Sequence, residues 1–221
     1  MIRLDIFSDP VCPWCLIGKA FLDRAIADAP EAPFVIEWHP FQLNPDMPRD
    51  GMDRRAYLEA KFGGKMPAAT VYARIAEAAE AAGVTLDLGK IERMPNTLDA
   101  HRLIHWAGLE GRQDSVVTAL FNAYFRDGRD IGAPDTLADI AAGTGMDRAL
   151  ALRLLTSEAD RDAIMQRDAH SRARGITAVP TFIVADTHVL TGAQQPELWA
   201  QVLAELADTA APTTGHEAGR A

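Results

Sequence analysis

The 221-residue chain is poor in cysteine, has no cluster of lysine and arginine, and lacks any long apolar run. Two cysteines are too few for a framework of structural disulfides. The 22 basic residues are outnumbered by 31 acidic ones, giving a net charge of −9, so neither nucleic acid nor an anionic membrane is an expected partner. No stretch of about eighteen apolar residues is present, and no membrane span is expected.

The amino terminus also lacks the features of an export signal. It has no basic start, no long apolar stretch and no small-residue cleavage site, and an acidic residue, Asp5, falls within its first apolar segment. We therefore expect the protein to be cytoplasmic. In that reducing compartment a pair of cysteines would cycle between thiol and disulfide rather than form a permanent bridge.

The two cysteines form a single Cys-x-x-Cys motif, Cys12-Pro13-Trp14-Cys15. The alternating segment 2–7 before it predicts a strand, and the apolar spacing behind it predicts a helix that begins at Pro13 with Cys12 as its N-cap. At that position a thiolate is stabilised by free backbone N–H groups and by the helix dipole. We expect Cys12 to be exposed and Cys15, one turn inward, to be more shielded. The pattern is typical of a nucleophilic cysteine with its resolving partner.

Two other interpretations of the motif compete with a redox role. A structural zinc site needs four ligands, but the chain has neither a second Cys-x-x-Cys nor a histidine pair at finger spacing from the motif. His101 and His105 lie four residues apart, but Arg102 stands where a zinc hydrolase carries glutamate, and no third ligand is evident. Inert buried thiols would explain one cysteine better than a pair that flanks Pro-Trp at a helix start. We predict no metal site.

Three zones follow one another along the chain. The first gives strand, helix and a second strand at 34–41, an order that implies parallel strands joined by a crossover helix. The middle zone has helical periodicity nearly throughout and predicts about seven helices, one of them capped by Ser157 with Asp160. The third zone returns to sheet, with a hairpin at 181–191 and a closing helix at 195–207.

Neither half-sheet is large enough to stand alone. Joined, the outer zones form an α/β domain with a mixed four-stranded sheet and a helix on each side, and the middle zone is a large all-helical insertion. The predicted boundaries are 1–50 with 175–208 for the sheet domain and 51–174 for the inserted helical domain. Residues 209–221 have nothing apolar to bury, and we expect a disordered tail there.

Five segments of the chain resemble, in order, the DsbA family of the thioredoxin superfamily. They are 9–15 (DPVCPWC), 40–43 (PFQL), 96–103 (NTLDAHRL), 179–182 (VPTF) and 192–194 (GAQ). Within that family the chain is most similar to the FrnE-like cytoplasmic thiol-disulfide oxidoreductases, relatives of 2-hydroxychromene-2-carboxylate isomerase and kappa-class glutathione transferase. The resemblance covers nearly the whole chain apart from the tail, and it implies a thioredoxin fold with a helical insertion.

The resemblance also implies the layout of the site. Cys12 and Cys15 would be the catalytic redox pair. Val179-Pro180 matches the family's cis-proline, which lies opposite the dithiol and leaves the Val179 backbone free to pair with a substrate. Ala178 departs from the glycine that relatives carry before Val-Pro, and it would be strained if that position required a positive φ. The implied substrate-binding residues are Pro13, Trp14, Val179, Pro180, and, facing the groove between insertion and sheet, Asn96 and His101.

In this fold an acid beneath the dithiol serves as the proton acceptor for the resolving cysteine. The sequence offers Asp5 and Glu37 on adjacent strands, and Asp9 three residues before Cys12. Strand alternation alone does not choose among them, so all three stay open.

Thiol–disulfide exchange through a mixed disulfide is the function that these features favour. The substrate would be a protein, a peptide or glutathione; no cofactor is required, glutathione is the candidate co-substrate, and a homodimer is compatible with the sequence. One alternative is a glutathione-dependent isomerase or transferase, although those relatives typically carry serine at the position of Cys12. Another is a peptide-binding holdase with the insertion as the wall of its groove. The direction of exchange depends on the redox potential, which the sequence leaves open.

Overall fold

The computed structural model describes residues 1–30, 34–62 and 65–210, and its centre is a four-stranded sheet built from both ends of the chain. The strands are β1 (Ile2–Ser8), β2 (Phe34–Pro40), β3 (Met52–Asp53), β4 (Arg93–Met94), β5 (Thr181–Val184) and β6 (His188–Thr191). In the large sheet the order is β2-β1-β5-β6. β1 pairs in parallel with β2, and the β1–β5 and β5–β6 pairs are antiparallel. This is the mixed sheet of the predicted thioredoxin fold.

One face of the sheet packs against two helices, α1 (Pro13–Asp28) and α9 (Pro196–Ala210). Phe182 of β5 lies between them, because it approaches Gly18 of α1 and meets Trp199 of α9 edge-on, with ring centroids 5.0 Å apart. Burial of a large apolar side chain of this kind contributes about 1.5–3 kcal/mol. The expectation that one helix lies on each side of the sheet is therefore wrong for this pair.

The opposite face carries the polar residues of the two parallel strands. Register places Asp5 beside Glu37 and Phe7 beside His39, so all four side chains lie on this face. Phe7 is buried and stacks on His39 with ring centroids 4.9 Å apart. The alternation of β1 thus directs Asp5 away from α1, which decides a question that the sequence left open.

Between β2 and β5 the described residues form seven α-helices, the number that the sequence predicts. They are α2 (Arg54–Phe62), α3 (Lys65–Ala82), α4 (Leu98–Leu109), α5 (Gln113–Phe121), α6 (Pro134–Gly143), α7 (Arg148–Leu155) and α8 (Arg161–Ala173). A short π-helical segment, Asn122–Arg126, extends α5. Along this combined helix the residues Val117, Leu120, Phe121, Tyr124 and Phe125 recur at helical spacing, and all five are buried.

The inserted segment is not purely helical, because β3 and β4 form a two-stranded antiparallel ladder. Gly51 precedes β3 with a φ of +69°, and a Cβ at this position would lie 2.5 Å from the Met94 carbonyl oxygen. Glycine is therefore required where the chain enters the ladder. Strands of two residues are too short to show alternation in the sequence.

The side chain of Arg102 ties α4 to the turn between α7 and α8. It is fully buried, and its Nη1 also donates to Asp99 Oδ1 at 2.8 Å. The backbone carbonyls that accept its remaining hydrogen bonds, at 2.7–3.3 Å, are those of Leu154, Leu155, Ser157 and Ala159. All five N–H donors of the guanidinium are used.

The carboxyl-terminal helix is longer than predicted. α9 continues through Ala210, so the first two residues of the predicted disordered tail, 209 and 210, are helical. Residues 211–221 lie outside the described residues, and the prediction for them stays a prediction. None of the described helices combines the length and the apolar character needed to cross a membrane.

Candidate active site

The two cysteines lie in the first turn of α1, just after the carboxyl end of the central strand β1. Cys12 is the N-cap, with extended backbone angles of φ −89° and ψ 113°, and Pro13 follows it in the first turn, as predicted. The Cys15 amide donates to the Cys12 carbonyl oxygen at 3.1 Å, and both thiols are free. The structure therefore presents the pair in its reduced, dithiol form at the positive end of a helix dipole.

Cys12 is more buried than its N-cap position predicts. It exposes 3% of its surface, whereas Trp14, between the cysteines, exposes 36%. The Cys12 thiol donates to the backbone carbonyl oxygen of Val179 with an S···O distance of 3.7 Å. The segment before β5 therefore covers the sulfur, the expectation of an exposed Cys12 is wrong, and Trp14 forms the exposed surface of the motif.

The same segment contacts α1 through Pro180. The Val179-Pro180 peptide bond is cis. Pro180 is buried against Gly18, where an added Cβ would lie 3.1 Å from the proline Cγ. Ala178 does not adopt a positive φ, so alanine introduces no backbone strain there. Sequence reasoning did not single out Gly18, although a glycine inside a helix, which costs about 1 kcal/mol relative to alanine, signals a close contact.

Asp9 lies directly beneath the dithiol and is completely buried. Its backbone oxygen accepts from the Cys12 amide at 2.9 Å, and its carboxylate accepts from the amides of Leu43 and Val11 at 2.7 and 3.4 Å. Burial raises the pKa of Asp9 to about 7. Burial also raises the pKa of Cys15 well above its ordinary value, and contact with Cys12 raises it further. The Asp9 backbone thus contacts both cysteines, and its buried carboxyl has a pKa close to neutral pH.

The dithiol at the start of α1 faces the proline segment that precedes β5, an inner strand of the four-stranded sheet. The family profile of the DSBA-like thioredoxin domain covers residues 3–204. The chain belongs to this family. That result confirms the resemblance on which the predicted fold depends.

Two proteins resemble this DSBA-like chain over nearly its full length. The uncharacterized protein YwbO of Bacillus subtilis (strain 168) is 28% identical over 205 residues, which are 92% of this chain and 96% of the relative. The crystal structure of the probable DsbA oxidoreductase SCO1869 from Streptomyces coelicolor is 27% identical, with a TM-score of 0.85 over 99% of this chain and 95% of that one.

Two more distant structures share the fold alone. 2-Hydroxychromene-2-carboxylate isomerase is 17% identical, with a TM-score of 0.72 over 95% of this chain and all of that one. The cytosolic disulfide reductase DsbM of Pseudomonas aeruginosa, in a structure with GSH, is 18% identical, with a TM-score of 0.67 over 93% of this chain and 99% of that one. The fold is thus common to a disulfide reductase and an isomerase.

The other two candidate acids of the DSBA-like domain lie on the sheet face away from α1. Asp5 binds Arg3 at 3.0 Å and His39 at 2.7 Å. Burial raises the pKa of Asp5, but the hydrogen bonds from Arg3 and His39 outweigh it, and the net pKa lies below its ordinary value. Glu37 is half-exposed and approaches Arg167 at 3.3 Å. Of the three acids, Asp9 is the one whose backbone hydrogen-bonds to the cysteines.

His101 does not face an open groove, contrary to expectation. Its side chain on α4 exposes 3% and points toward Asp9, with Nε2 3.8 Å from Asp9 Oδ1. Nε2 is buried and has no hydrogen-bond partner among the described residues. Burial lowers the pKa of His101 to about 4. The histidine therefore lies behind the dithiol, where direct contact with a substrate is not available.

Asn96 also has a structural environment. Its Nδ2 donates to the Met47 carbonyl oxygen at 2.7 Å, and its Oδ1 accepts from the Leu98 amide at 2.9 Å at the start of α4. It lines a cavity of about 440 Å³ among charged side chains, and neither cysteine lines that cavity. These contacts anchor α4 rather than present the amide to the dithiol.

The spaced histidines of α4 do not converge on a metal position in the described part of the chain. His105 contacts Arg167 through Nδ1 at 3.1 Å, whereas His101 contacts Asp9. Among the described residues, Asp5, Glu37 and His39 form the one group with metal-ligand spacing. Arg167 also approaches the Glu37 carboxylate of that group at 3.3 Å.

A largely apolar groove of about 110 Å³ opens beside Pro13, between the start of α1 and helices α2 and α3. Two cations lie at this groove. Arg54 donates to Tyr72 Oη at 2.9 Å, and Lys61 donates to Tyr57 Oη at 2.6 Å. The groove thus combines an apolar floor with positive charge next to the dithiol.

Proposed function

We propose that this chain is a thiol–disulfide oxidoreductase in which Cys12 attacks a substrate disulfide and Cys15 resolves the mixed disulfide. The observation that carries the proposal is the placement of two free thiols one helical turn apart at the start of α1. A single buried thiol, or a pair without the helix start, would not offer both an attacking and a resolving sulfur.

In the reducing direction the reaction has two steps. The Cys12 thiolate attacks one sulfur of the substrate, the substrate S–S bond breaks, and one substrate thiolate leaves. Cys15 then gives its proton to the Asp9 carboxylate and attacks the Cys12 sulfur; the Cys12–Cys15 bond forms and the second substrate thiolate leaves. Two electrons pass from the dithiol to the substrate. The raised pKa of Cys15 keeps it protonated until that second step.

Insulin reduction by dithiothreitol tests the proposal directly. The wild-type protein should accelerate it, Cys12→Ser should abolish the acceleration, and Cys15→Ser should accumulate mixed disulfides at Cys12. The two serine variants are matched controls, because each removes one sulfur of the same motif. Undiminished activity in Cys12→Ser would contradict the proposal. The equilibrium with reduced and oxidised glutathione then measures the direction of exchange.

Glutathione-dependent isomerisation is the second candidate, and the groove beside Pro13 favours it. Arg54 and Lys61 complement the carboxylates of a small acidic thiol, and the apolar floor would accept an aromatic substrate. Such a reaction does not cycle a dithiol, so Cys15→Ser would leave it intact. A variant that retains full turnover with glutathione and an unsaturated aromatic acid, but loses insulin reduction, would select this candidate.

The compartment that we propose is the cytoplasm, because the chain's two cysteines are both committed to the exchange motif. Alkylation of the protein inside intact cells, followed by mass analysis, should find Cys12 and Cys15 mainly as thiols. A pair that is fully disulfide-bonded in growing cells would contradict this placement.

A further inference from the structure

Asp9 and His101 form a buried pair, and the exchange reaction proposed above gives His101 no role. Both side chains are at least nine-tenths buried, and Nε2 lies 3.8 Å from Oδ1, roughly 0.6–1.1 Å beyond a hydrogen bond. Nε2 has no other partner among the described residues. A buried ring nitrogen without a hydrogen-bond partner destabilises the fold, and such exceptions are often functional.

The two residues come from different parts of the fold. Asp9 follows the central strand of the sheet, whereas His101 belongs to α4 of the inserted segment. Other groups close to the pair are already engaged: Asp168 on α8 accepts from the Gln42 amide at 2.7 Å and is bound by Arg172 at 2.9 Å. The remaining titratable or hydroxyl groups that act on the pair are Cys12, Cys15, Thr97, Tyr124 and Arg167.

We propose that His101 is a positioning residue for Asp9: its Nε2–H hydrogen-bonds the Asp9 carboxylate whenever that group is ionised, and so sets the pH range in which Asp9 accepts the Cys15 proton. This inference rests on the proposed exchange function. The balance of the step is unchanged, since the proton moves from Cys15 sulfur to an Asp9 oxygen while His101 stays neutral. The inserted helical segment thereby contributes to the chemistry of the sheet domain.

Reaction with dithiobis(nitrobenzoate) separates the step that depends on His101 from the one that does not. Attack by Cys12 releases a first nitrothiobenzoate and leaves a mixed disulfide; attack by Cys15 releases the second. Each release is followed by absorbance. In the wild type the rate of the second release should rise with pH around a midpoint near 7, the pKa of Asp9.

His101→Phe removes the hydrogen bond that favours the carboxylate, so the midpoint of the second release should move to higher pH. A shift of about one unit would slow this release roughly fivefold at pH 7 and roughly tenfold well below pH 7. His101→Gln keeps an N–H donor in reach and should retain a midpoint near that of the wild type. His105→Gln is the matched control, because it lies one turn further along α4 and contacts Arg167 instead; its midpoint should not move.

Asp9→Asn should remove the midpoint, and adding His101→Phe to it should change nothing further. An unshifted midpoint in His101→Phe, or equal shifts in the Phe and Gln variants, would overturn the inference. If the Phe variant does not fold, His101→Asn gives the same reading, because its shorter amide no longer reaches Asp9. Loss of the first release in the wild type would instead refute the exchange function itself.

Discussion

Arg102 and His101 are consecutive residues on α4, both buried, and they differ in how completely their polar atoms are satisfied. Arg102 uses all five of its N–H donors, one on Asp99 and four on backbone carbonyls. His101 Nε2 has no hydrogen-bond partner among the described residues and stands 3.8 Å from Asp9. Arg102 thus completes a hydrogen-bond network on the side of α7 and α8. His101 leaves the hydrogen-bond network around Asp9 incomplete on the side of the dithiol.

The difference separates a structural network from one suited to proton transfer. Full hydrogen bonding fixes a charge in place and stabilises one conformation. Incomplete hydrogen bonding leaves the desolvation of each group uncompensated, which lowers the pKa of His101 to about 4 and raises that of Asp9 to about 7. Groups perturbed in this way are typical of functional sites.

Replacement of Arg102 should have the largest effect on stability. Arg102→Met keeps the apolar volume but leaves the Asp99 carboxylate and four carbonyl oxygens without this donor. The free energy of unfolding should fall by about 3–5 kcal/mol, as measured by urea denaturation. Insulin reduction per folded molecule should be unchanged, since the dithiol lies on the other side of α4. If Arg102→Met is as stable as the wild type, the hydrogen bonds of Arg102 do not stabilise the fold in the way that the comparison with His101 requires.

The Asp9–His101 pair should reveal itself in the pH dependence of stability. The pKa of Asp9 in the folded state, about 7, exceeds its ordinary value of 3.8, so its contribution to stability falls as pH rises from about 4 to 7. The pKa of His101, about 4, lies below its ordinary 6.5, so its contribution falls as pH drops from 6.5 to 4. In the wild type the two slopes oppose each other.

Single substitutions should expose each slope. Asp9→Asn leaves only the histidine contribution, so its free energy of unfolding should rise by about 2 kcal/mol between pH 5 and pH 8. His101→Phe leaves only the aspartate contribution, so its free energy of unfolding should fall by about 3 kcal/mol over the same range. Urea denaturation at both pH values measures the difference. If the stability of the two variants changes with pH in the same direction, the pKa values of Asp9 and His101 are not shifted in opposite directions.

Gln42 provides the smallest expected effect and a matched comparison with Arg102. It exposes 4%, and its Nε2 has no hydrogen-bond partner among the described residues. Its backbone amide, which donates to Asp168 at 2.7 Å, is retained in any variant. Gln42→Met should change the free energy of unfolding by no more than about 1 kcal/mol, in either direction. A loss as large as that of Arg102→Met would mean that the amide is satisfied after all.

Local signals in the sequence were sufficient for the framework of the site. Cys12 and Pro13 mark a helix start because N-cap geometry and the fixed φ of proline depend on adjacent residues alone. The hairpin of β5 and β6 follows from two short apolar runs around a turn. Each half-sheet was too small to stand alone, which predicted that the two chain ends share one sheet, and the sheet order confirms it.

Features that depend on distant contacts were not predictable in the same way. The burial of Cys12 is caused by Val179, 167 residues further along the chain. The orientation of His101 depends on how α4 packs, and periodicity gives a helix face without its neighbour. Ser157 with Asp160 was predicted as a capping pair, but the N-cap of α8 is Asp160, with a φ of 56° and no side-chain capping hydrogen bond; its carboxylate accepts from Trp106 Nε1 at 2.8 Å instead. Tertiary hydrogen bonding decided the role of this side chain, as it often does for aspartate.

The contact between Cys12 and Val179 also determines when the Cys12 sulfur becomes covered during synthesis of the chain. β1 is made first, but its partner β5 is made more than 170 residues later, after the whole helical segment. Until β5 has left the ribosome, β1 lacks its antiparallel neighbour and the Cys12 sulfur is not covered. Pairings of such high sequence separation form slowly. In a newly made chain the Cys12 thiol is therefore uncovered through most of translation, and it becomes covered only when β5 pairs with β1.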